Sequence, residues 1–128
     1  MTTLEGKPPG KVQALGIMHL IGGILNIIMS LFWAFYGLFT GAMTFGIGLA
    51  FCCPVFILLP VAILELISGF KHLSSDHTGL KAPRTTGFLE IASILGCSTI
   101  SMIFGILTLV FLSDPEVEAY YQSKQITG

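Results

Sequence analysis

Formal charge is what this sequence has least of. From Val12 to Leu64 there is no Asp, Glu, Lys or Arg, and charged residues make up only 10% of the 128-residue chain. With 53% hydrophobic residues and a mean hydropathy of +0.86, the composition lies outside the range of water-soluble domains. It predicts an all-α integral membrane protein, a helical bundle that forms one membrane domain over residues 1–128.

Other absences exclude further classes of function. The net charge of −1 argues against a nucleic-acid partner. Cys52, Cys53 and Cys97 lie in apolar stretches without C-x-x-C or Cys/His spacing, so we expect no disulfide, metal or cofactor. There is no H-E-x-x-H, G-x-S-x-G or nucleotide-binding loop, and we therefore do not expect an enzyme.

The apolar stretches predict three transmembrane helices, over residues 12–36, 43–70 and 87–112. Each is long enough to cross about 30 Å of hydrocarbon. Trp33 and Tyr36 end the first stretch and are predicted interface anchors, and two glycines in the next six residues favour a turn. Pro54 and Pro60 are predicted to bend the second helix. The alternative is a break before Pro54, which would give four spans.

The polar segments are a loop over residues 71–86 and a tail over residues 113–128. In the tail, Asp114 as N-cap and Pro115 at the first helical position predict a short amphipathic helix. Val117, Tyr120 and Tyr121 share one face of this helix, so we expect the two tyrosines to anchor it at the membrane interface.

Basic residues predict the orientation. Lys7 and Lys11 precede the first span, while Lys71, Lys81 and Arg84 follow the second. Because cytoplasmic loops are enriched in Lys and Arg, both segments prefer the cytoplasm. Three spans then place the N-terminus inside and the C-terminus outside, in what we expect to be the bacterial inner membrane.

Three ionisable residues interrupt the apolar stretches. Glu65 lies six residues before Lys71, Glu90 lies six residues after Arg84, and His19 lies eight residues beyond Lys11. At 1.5 Å per residue all three fall at similar depth, so they can converge into a proton or cation site. The alternative is that each carboxylate reaches the headgroup region or pairs with a loop lysine, while His19 hydrogen-bonds a neighbouring helix.

Small residues at four-residue spacing form three predicted packing faces, which membrane helices use for close approach. They are Gly22, Asn26, Ser30 and Ala34 in the first span, Ala42, Gly46 and Ala50 in the second, and Ser93, Cys97, Ser101 and Gly105 in the third. Three faces exceed what three helices need among themselves, which favours a homo-oligomer or a larger membrane complex.

The segments Pro8–Met18, Cys52–Pro54 and Gly105–Tyr121 together resemble a group of small bacterial multi-span membrane proteins of unassigned function. The resemblance implies a helical membrane fold and brings no catalytic residues. The glycine-rich first span is also similar to the membrane-spanning four-domain family, although a fourth span is lacking here.

The sequence therefore favours a non-catalytic membrane subunit or self-associating scaffold, in contact with lipid and held together through small-residue helix faces. The alternative function is a small ion channel or proton-coupled transporter that uses His19, Glu65 and Glu90.

Overall fold

The structure is a computed structural model that describes residues 8–126, with side chains up to residue 124. Every regular element in this part of the chain is helical, which agrees with the predicted all-α bundle. The five α-helices are α1 (Gly10–Met43), α2 (Cys53–Leu73), α3 (Arg84–Ala92), α4 (Thr99–Leu112) and α5 (Pro115–Ile126). Short 3-10 segments, Ile47–Cys52 and Ser93–Gly96, precede α2 and follow α3.

Helices α1 and α2 form a long antiparallel pair that is packed closely over glycines. A Cβ added at Gly69 would lie 2.8 Å from the backbone nitrogen of Leu20, and one at Gly23 would lie 2.7 Å from Leu66 Cγ. Only residues without a side chain allow this approach. The predicted turn over residues 37–42 is wrong: α1 continues to Met43, and the chain reverses at Phe45 and Gly46, both with positive φ.

The two prolines of the second apolar stretch have different positions. Pro54 lies in the first turn of α2, where a missing N–H leaves no helical bond unmade, so it starts this helix rather than bending it. Pro60 lies inside α2, as predicted. Together with the preceding 3-10 segment, α2 forms a continuous 27-residue helical stretch, so the chain does not break before Pro54.

The predicted single helix over residues 87–112 is wrong, because α3 and α4 fold back on each other. A Cβ at Gly105 would lie 2.8 Å from Glu90 Cβ, and one at Gly87 would lie 3.1 Å from Thr108 Cγ2. The chain reverses at Cys97, whose φ of 64° is left-handed. We call this unit the α3–α4 hairpin.

The tip of the α3–α4 hairpin reaches the middle of the α1–α2 pair. Ser98 donates a hydrogen bond to Asn26, and a Cβ at Gly96 would lie 2.6 Å from Leu58 Cγ. Asn26 is 16 residues from the start of the 34-residue α1, about 24 Å along an axis of about 51 Å. The hairpin therefore lies beside only one half of the long pair.

The start of α1, the end of α2, both ends of the hairpin and α5 meet at one end of the molecule, which we call the chain-end side. Its core consists of Val12, Leu15, Leu80, Leu112, Val117 and Tyr121. Lys11 at the start of α1 forms an ion pair with Asp114 at the start of α5. Asp114 also accepts the Glu116 N–H, as the predicted N-cap requires.

Helices α1 and α2 are both long and apolar enough to cross a membrane. Within the described residues a third crossing would require that α4 and α5, which are bent by 82° at their junction, count as one span. A bundle with two to three such helices agrees with the predicted class of fold.

Candidate buried carboxyl–imidazole cluster

Glu65 lies at the centre of the bundle and is hydrogen-bonded from two helices. Asn26 Nδ2 on α1 donates to Glu65 Oε2 at 2.7 Å, and Ser101 Oγ on α4 donates to Glu65 Oε1 at 2.7 Å. Asn26 Nδ2 also donates to Ser101 Oγ at 2.9 Å, while Asn26 Oδ1 accepts from Ser98 Oγ at 2.6 Å. Each oxygen of this carboxyl group therefore has a fixed donor.

Glu90, on α3, lies beside Glu65 and contacts a third ionisable group. Its Oε1 is 2.6 Å from His19 Nδ1, and its Oε2 accepts a hydrogen bond from Thr108 at 3.4 Å. The carboxyl groups of Glu65 and Glu90 are close enough to interact directly with each other. Since like charges at close range repel, the pair is favourable only when at least one of the two carboxyl groups holds a proton.

The structure thus brings together the three ionisable residues that the sequence singled out, His19, Glu65 and Glu90. All three side chains are fully buried. In the described part of the chain Glu90 pairs with His19, and Glu65 accepts hydrogen bonds from Asn26 and Ser101, so neither glutamate pairs with Lys or Arg. The expectation that the carboxylates reach headgroups or loop lysines is therefore wrong.

Two glycines make room for the buried carboxyl groups. A Cβ at Gly22 would lie 2.8 Å from Glu65 Oε1, and one at Gly105 would lie 2.8 Å from Glu90 Cβ. Both glycines belong to the predicted packing faces, together with Asn26, Ser30 and Ser101. These faces hold α1 to α2 and the hairpin, and the same residues supply the polar groups around Glu65.

The other predicted packing residues are distributed differently. Ser93 is buried and Ala34 is half-buried, whereas Ala42, Gly46, Ala50 and Cys97 are exposed. The face predicted over residues 42–50 does not exist, because Gly46 lies in the turn between two helices. Cys97 lies at the hairpin tip and not on a helix face.

The predicted interface anchors also separate into two groups. Trp33 and Tyr36 lie in an aromatic cluster with Phe32 and Phe51, where Tyr36 is 40% exposed. Tyr121 is buried in the chain-end core with 3% exposure, so it is not an interface anchor. Tyr120 hydrogen-bonds His77.

Polar contacts continue from the cluster toward the chain-end side. The His72 ring lies edge-to-face against the His19 ring with centroids 6.1 Å apart, and His72 Nε2 is 2.6 Å from the Tyr121 hydroxyl. His77 Nε2 is 3.0 Å from the His72 carbonyl oxygen. All three histidines of the chain therefore belong to one polar series.

Sequence reasoning missed His72, Tyr121 and Thr108 as members of this polar interior. Periodicity could have found two of them, because His72 follows Glu65 by seven residues and Thr108 follows Ser101 by seven, two helical turns in each case. No local pattern indicates Tyr121, since α5 turns back onto the bundle through a sharp bend.

The cluster has unused hydrogen-bonding capacity. His19 Nδ1 and Glu90 Oε1 are close but do not form a well-angled hydrogen bond, and in the described part of the chain His19 Nε2 has no partner. A buried polar atom without a partner is energetically unfavourable, so these atoms distinguish the cluster from the rest of the packed interior. No group of His, Cys, Asp and Glu side chains within residues 8–124 has an arrangement that holds a metal ion.

Comparison with protein-family models, with curated proteins and with solved structures found no match to the chain. The class that the fold and the site define is therefore structural: a helical bundle with two to three helices apolar enough to span a membrane, built around a buried carboxyl–imidazole cluster.

Proposed function

We propose that this chain is a proton-coupled membrane protein, a small transporter or channel in which the Glu65–Glu90–His19 cluster binds and releases the proton. The observation that carries the proposal is the contact between two fully buried carboxyl groups beside a buried imidazole. Ionisable side chains buried inside a membrane protein are energetically costly, and where they occur they typically form ion pathways or proton relays. A carboxyl pair favours one bound proton and releases it when its surroundings change.

The orientation we propose follows from the basic residues. Those in the described part, Lys11, Lys71, Lys81, Arg84 and Lys124, all lie on elements that meet at the chain-end side. By the positive-inside rule this side faces the cytoplasm. Helices α1 and α2 then cross the bilayer, while the α3–α4 hairpin enters and leaves on the cytoplasmic side. This differs from the three-span topology, in which the C-terminus would be outside.

Association with copies of the chain or with a larger complex stays a prediction. The small-residue faces that motivated it are largely used inside the chain, since Gly22, Asn26, Ser101 and Gly105 are buried within the bundle. The geometry therefore gives more support to a proton site than to a scaffold.

Proton flux into liposomes tests this function. The purified protein is reconstituted with an internal pH-sensitive dye, and a membrane potential is imposed. We expect the wild type to pass protons. Glu65→Gln and Glu90→Gln should each reduce the flux by at least about tenfold, because the amide of glutamine cannot take up a proton near neutral pH. The matched control is Glu118→Gln, a change at an exposed carboxylate on α5. Equal flux in all four proteins would contradict the proposal.

A further inference from the structure

A cavity borders the polar series at the chain-end side. The cavity, about 590 Å³, lies between the start of α1, the end of α2 and α5, and we call it the chain-end cavity. Its polar lining includes His72, His77, Asp76, Tyr120 and Lys124. Of these residues only His72 also contacts the buried cluster, through its ring contact with His19.

The position of His72 is fixed by close packing of α1 and α2. A Cβ at Gly16 would lie 2.8 Å from His72 Cβ, so the backbones approach closely at this level. The His72 side chain is 3% exposed. It therefore lies between the chain-end cavity and His19.

The hydrogen bonds of His72 define the form of its ring. Nδ1 lies 2.6 Å from the Ser68 carbonyl oxygen, which can only accept, so Nδ1 carries a hydrogen. In the neutral ring Nε2 is then an acceptor, and the Tyr121 hydroxyl donates to it at 2.6 Å. Tyr121 thus occupies the lone pair that an incoming proton would need.

On the opposite side the polar series ends near Asn26. Ser30 Oγ donates back to the Asn26 carbonyl oxygen at 2.7 Å. The next polar side chain along α1, Trp33, has a buried Nε1 without a partner among the described residues. Ser98 at the hairpin tip donates to Asn26 Oδ1, so the hydrogen bonds on this side end at that tip, whereas the histidine series continues to the chain-end side.

We propose that His72 is the gate through which protons pass between the chain-end cavity and the Glu65–Glu90–His19 cluster, and that Tyr121 holds this gate closed. The inference rests on the proposed function. A hydronium ion in the cavity gives a proton to His72 Nε2 when the Tyr121 hydroxyl turns away, and water remains. After ring rotation the imidazolium gives one proton to His19 Nε2, and His19 Nδ1 passes its own proton to Glu90 Oε1, which restores both neutral rings.

The groups around His72 agree with this role. His19 faces it from α1, Tyr121 from α5 and His77 from the connection between α2 and α3, while Asp76 and Lys124 line the cavity. The pKa of Asp76 lies below its usual range because Thr78 donates hydrogen bonds to its carboxylate. Asp76 therefore stays ionised at the cavity and attracts protons to its mouth.

The rate of proton arrival at the buried carboxyl groups tests the gate. Time-resolved infrared spectroscopy after a pH jump measures how fast the absorption band of the protonated carboxyl groups appears. The band is assigned by its loss in Glu65→Gln and Glu90→Gln. We expect His72→Gln to lower the rate at which this band appears by at least about tenfold. The control is Glu118→Gln, a change on the exposed side of α5 away from the cavity, and its rate should equal that of the wild type.

A second pair of variants preserves the test if His72→Gln does not fold. Tyr121→Phe keeps the aromatic ring in the chain-end core but removes the hydroxyl that donates to His72 Nε2. The protonated carboxyl band should then appear at least about threefold faster. Tyr36→Phe, in the aromatic cluster far from the cavity, should leave the rate unchanged. Wild-type rates in both His72→Gln and Tyr121→Phe would overturn the gate and leave the proposed function standing. A carboxyl band that does not titrate in the wild type would overturn the proposed function as well.

Discussion

At the scale of single residues, the site depends on side chains that are missing as much as on those that are present. Gly22 lies directly over the Glu65 carboxyl group, and Gly105 lies over the base of the Glu90 side chain. A glutamate can be buried at these positions only because the facing helix leaves space for it. The same absence of a side chain lets Asn26 and Ser101 approach Glu65 closely enough to donate hydrogen bonds.

Gly22→Ala tests this account. The new Cβ would lie 2.8 Å from Glu65 Oε1, so Glu65 must move away from its donors. We expect a loss of about 1–3 kcal/mol in the free energy of unfolding, as for other overpacked interiors. The measurement is denaturation in detergent followed by circular dichroism.

Gly10→Ala is the matched control, because a Cβ at Gly10 in the same helix meets nothing within 4 Å. Alanine is the better helix former, so this control should be neutral or slightly stabilising. If Gly22→Ala were equally neutral, the close contact between α1 and Glu65 would be contradicted.

At the scale of elements, the α3–α4 hairpin was not predictable from its sequence. Residues 87–112 have the length and apolarity of one span, and the reversal at Cys97 uses a left-handed residue that is not glycine. The signals are weak: Gly96 and Ser98 flank the turn, and Ser93 Oγ bonds back to the Glu90 carbonyl oxygen. Because Ser and Gly are common within membrane helices, they do not mark a turn in this context.

The depth of the ionisable residues was predictable for a physical reason. Charged flanks mark the membrane surface, and helical rise converts a residue count into a depth, so Glu65, Glu90 and His19 could be placed at one level from Lys71, Arg84 and Lys11. These depths are the same whether residues 87–112 form one helix or two. Contacts within the chain-end core depend on the bend before α5, and sequence periodicity contains no information about them.

The contact between α1 and α5 provides a test at the same scale. Lys11 donates a hydrogen bond to Asp114, and the Glu116 N–H donates a second, and both lower the pKa of the Asp114 carboxyl group. Asp114→Asn should therefore lower the melting temperature at neutral pH, because the ion pair that joins α5 to α1 is lost. Glu118→Gln, on the exposed side of α5, is the control and should have little effect.

The pH dependence gives this prediction its sign. A carboxyl group with a lowered pKa in the folded state stabilises the protein above its unfolded pKa of about 3.9. That stabilisation is lost as the pH falls through the folded pKa. The melting temperatures of wild type and Asp114→Asn should therefore converge in acid, and a difference that persists below about pH 2 would contradict a role for the charge.

At the scale of the whole molecule, charge and polarity are separated along the long axis. The described acidic residues outside the cluster, Asp76, Asp114, Glu116 and Glu118, accompany the basic residues at the chain-end side. The opposite end is formed by the turn after α1, where Phe45 is fully exposed and its neighbours are apolar or uncharged. The molecule therefore has one strongly charged end that would orient it in a bilayer. The hairpin and α5 both lie toward that end.

This separation predicts a topology that labelling can distinguish from three spans. In a background with the native cysteines replaced by alanine, single cysteines at Thr78, Ala119 and Phe45 are exposed to a membrane-impermeant thiol reagent in intact and opened cells. We expect Thr78→Cys and Ala119→Cys to be labelled only after the cytoplasm is opened, and Phe45→Cys to be labelled in intact cells. Three crossings would place α5 opposite the loop, so labelling of Ala119→Cys in intact cells would contradict the two-span arrangement. The His72–Tyr121 hydrogen bond requires α5 and the end of α2 to lie on the same side of the membrane. Labelling of Ala119→Cys in intact cells would therefore also contradict the proposed gate.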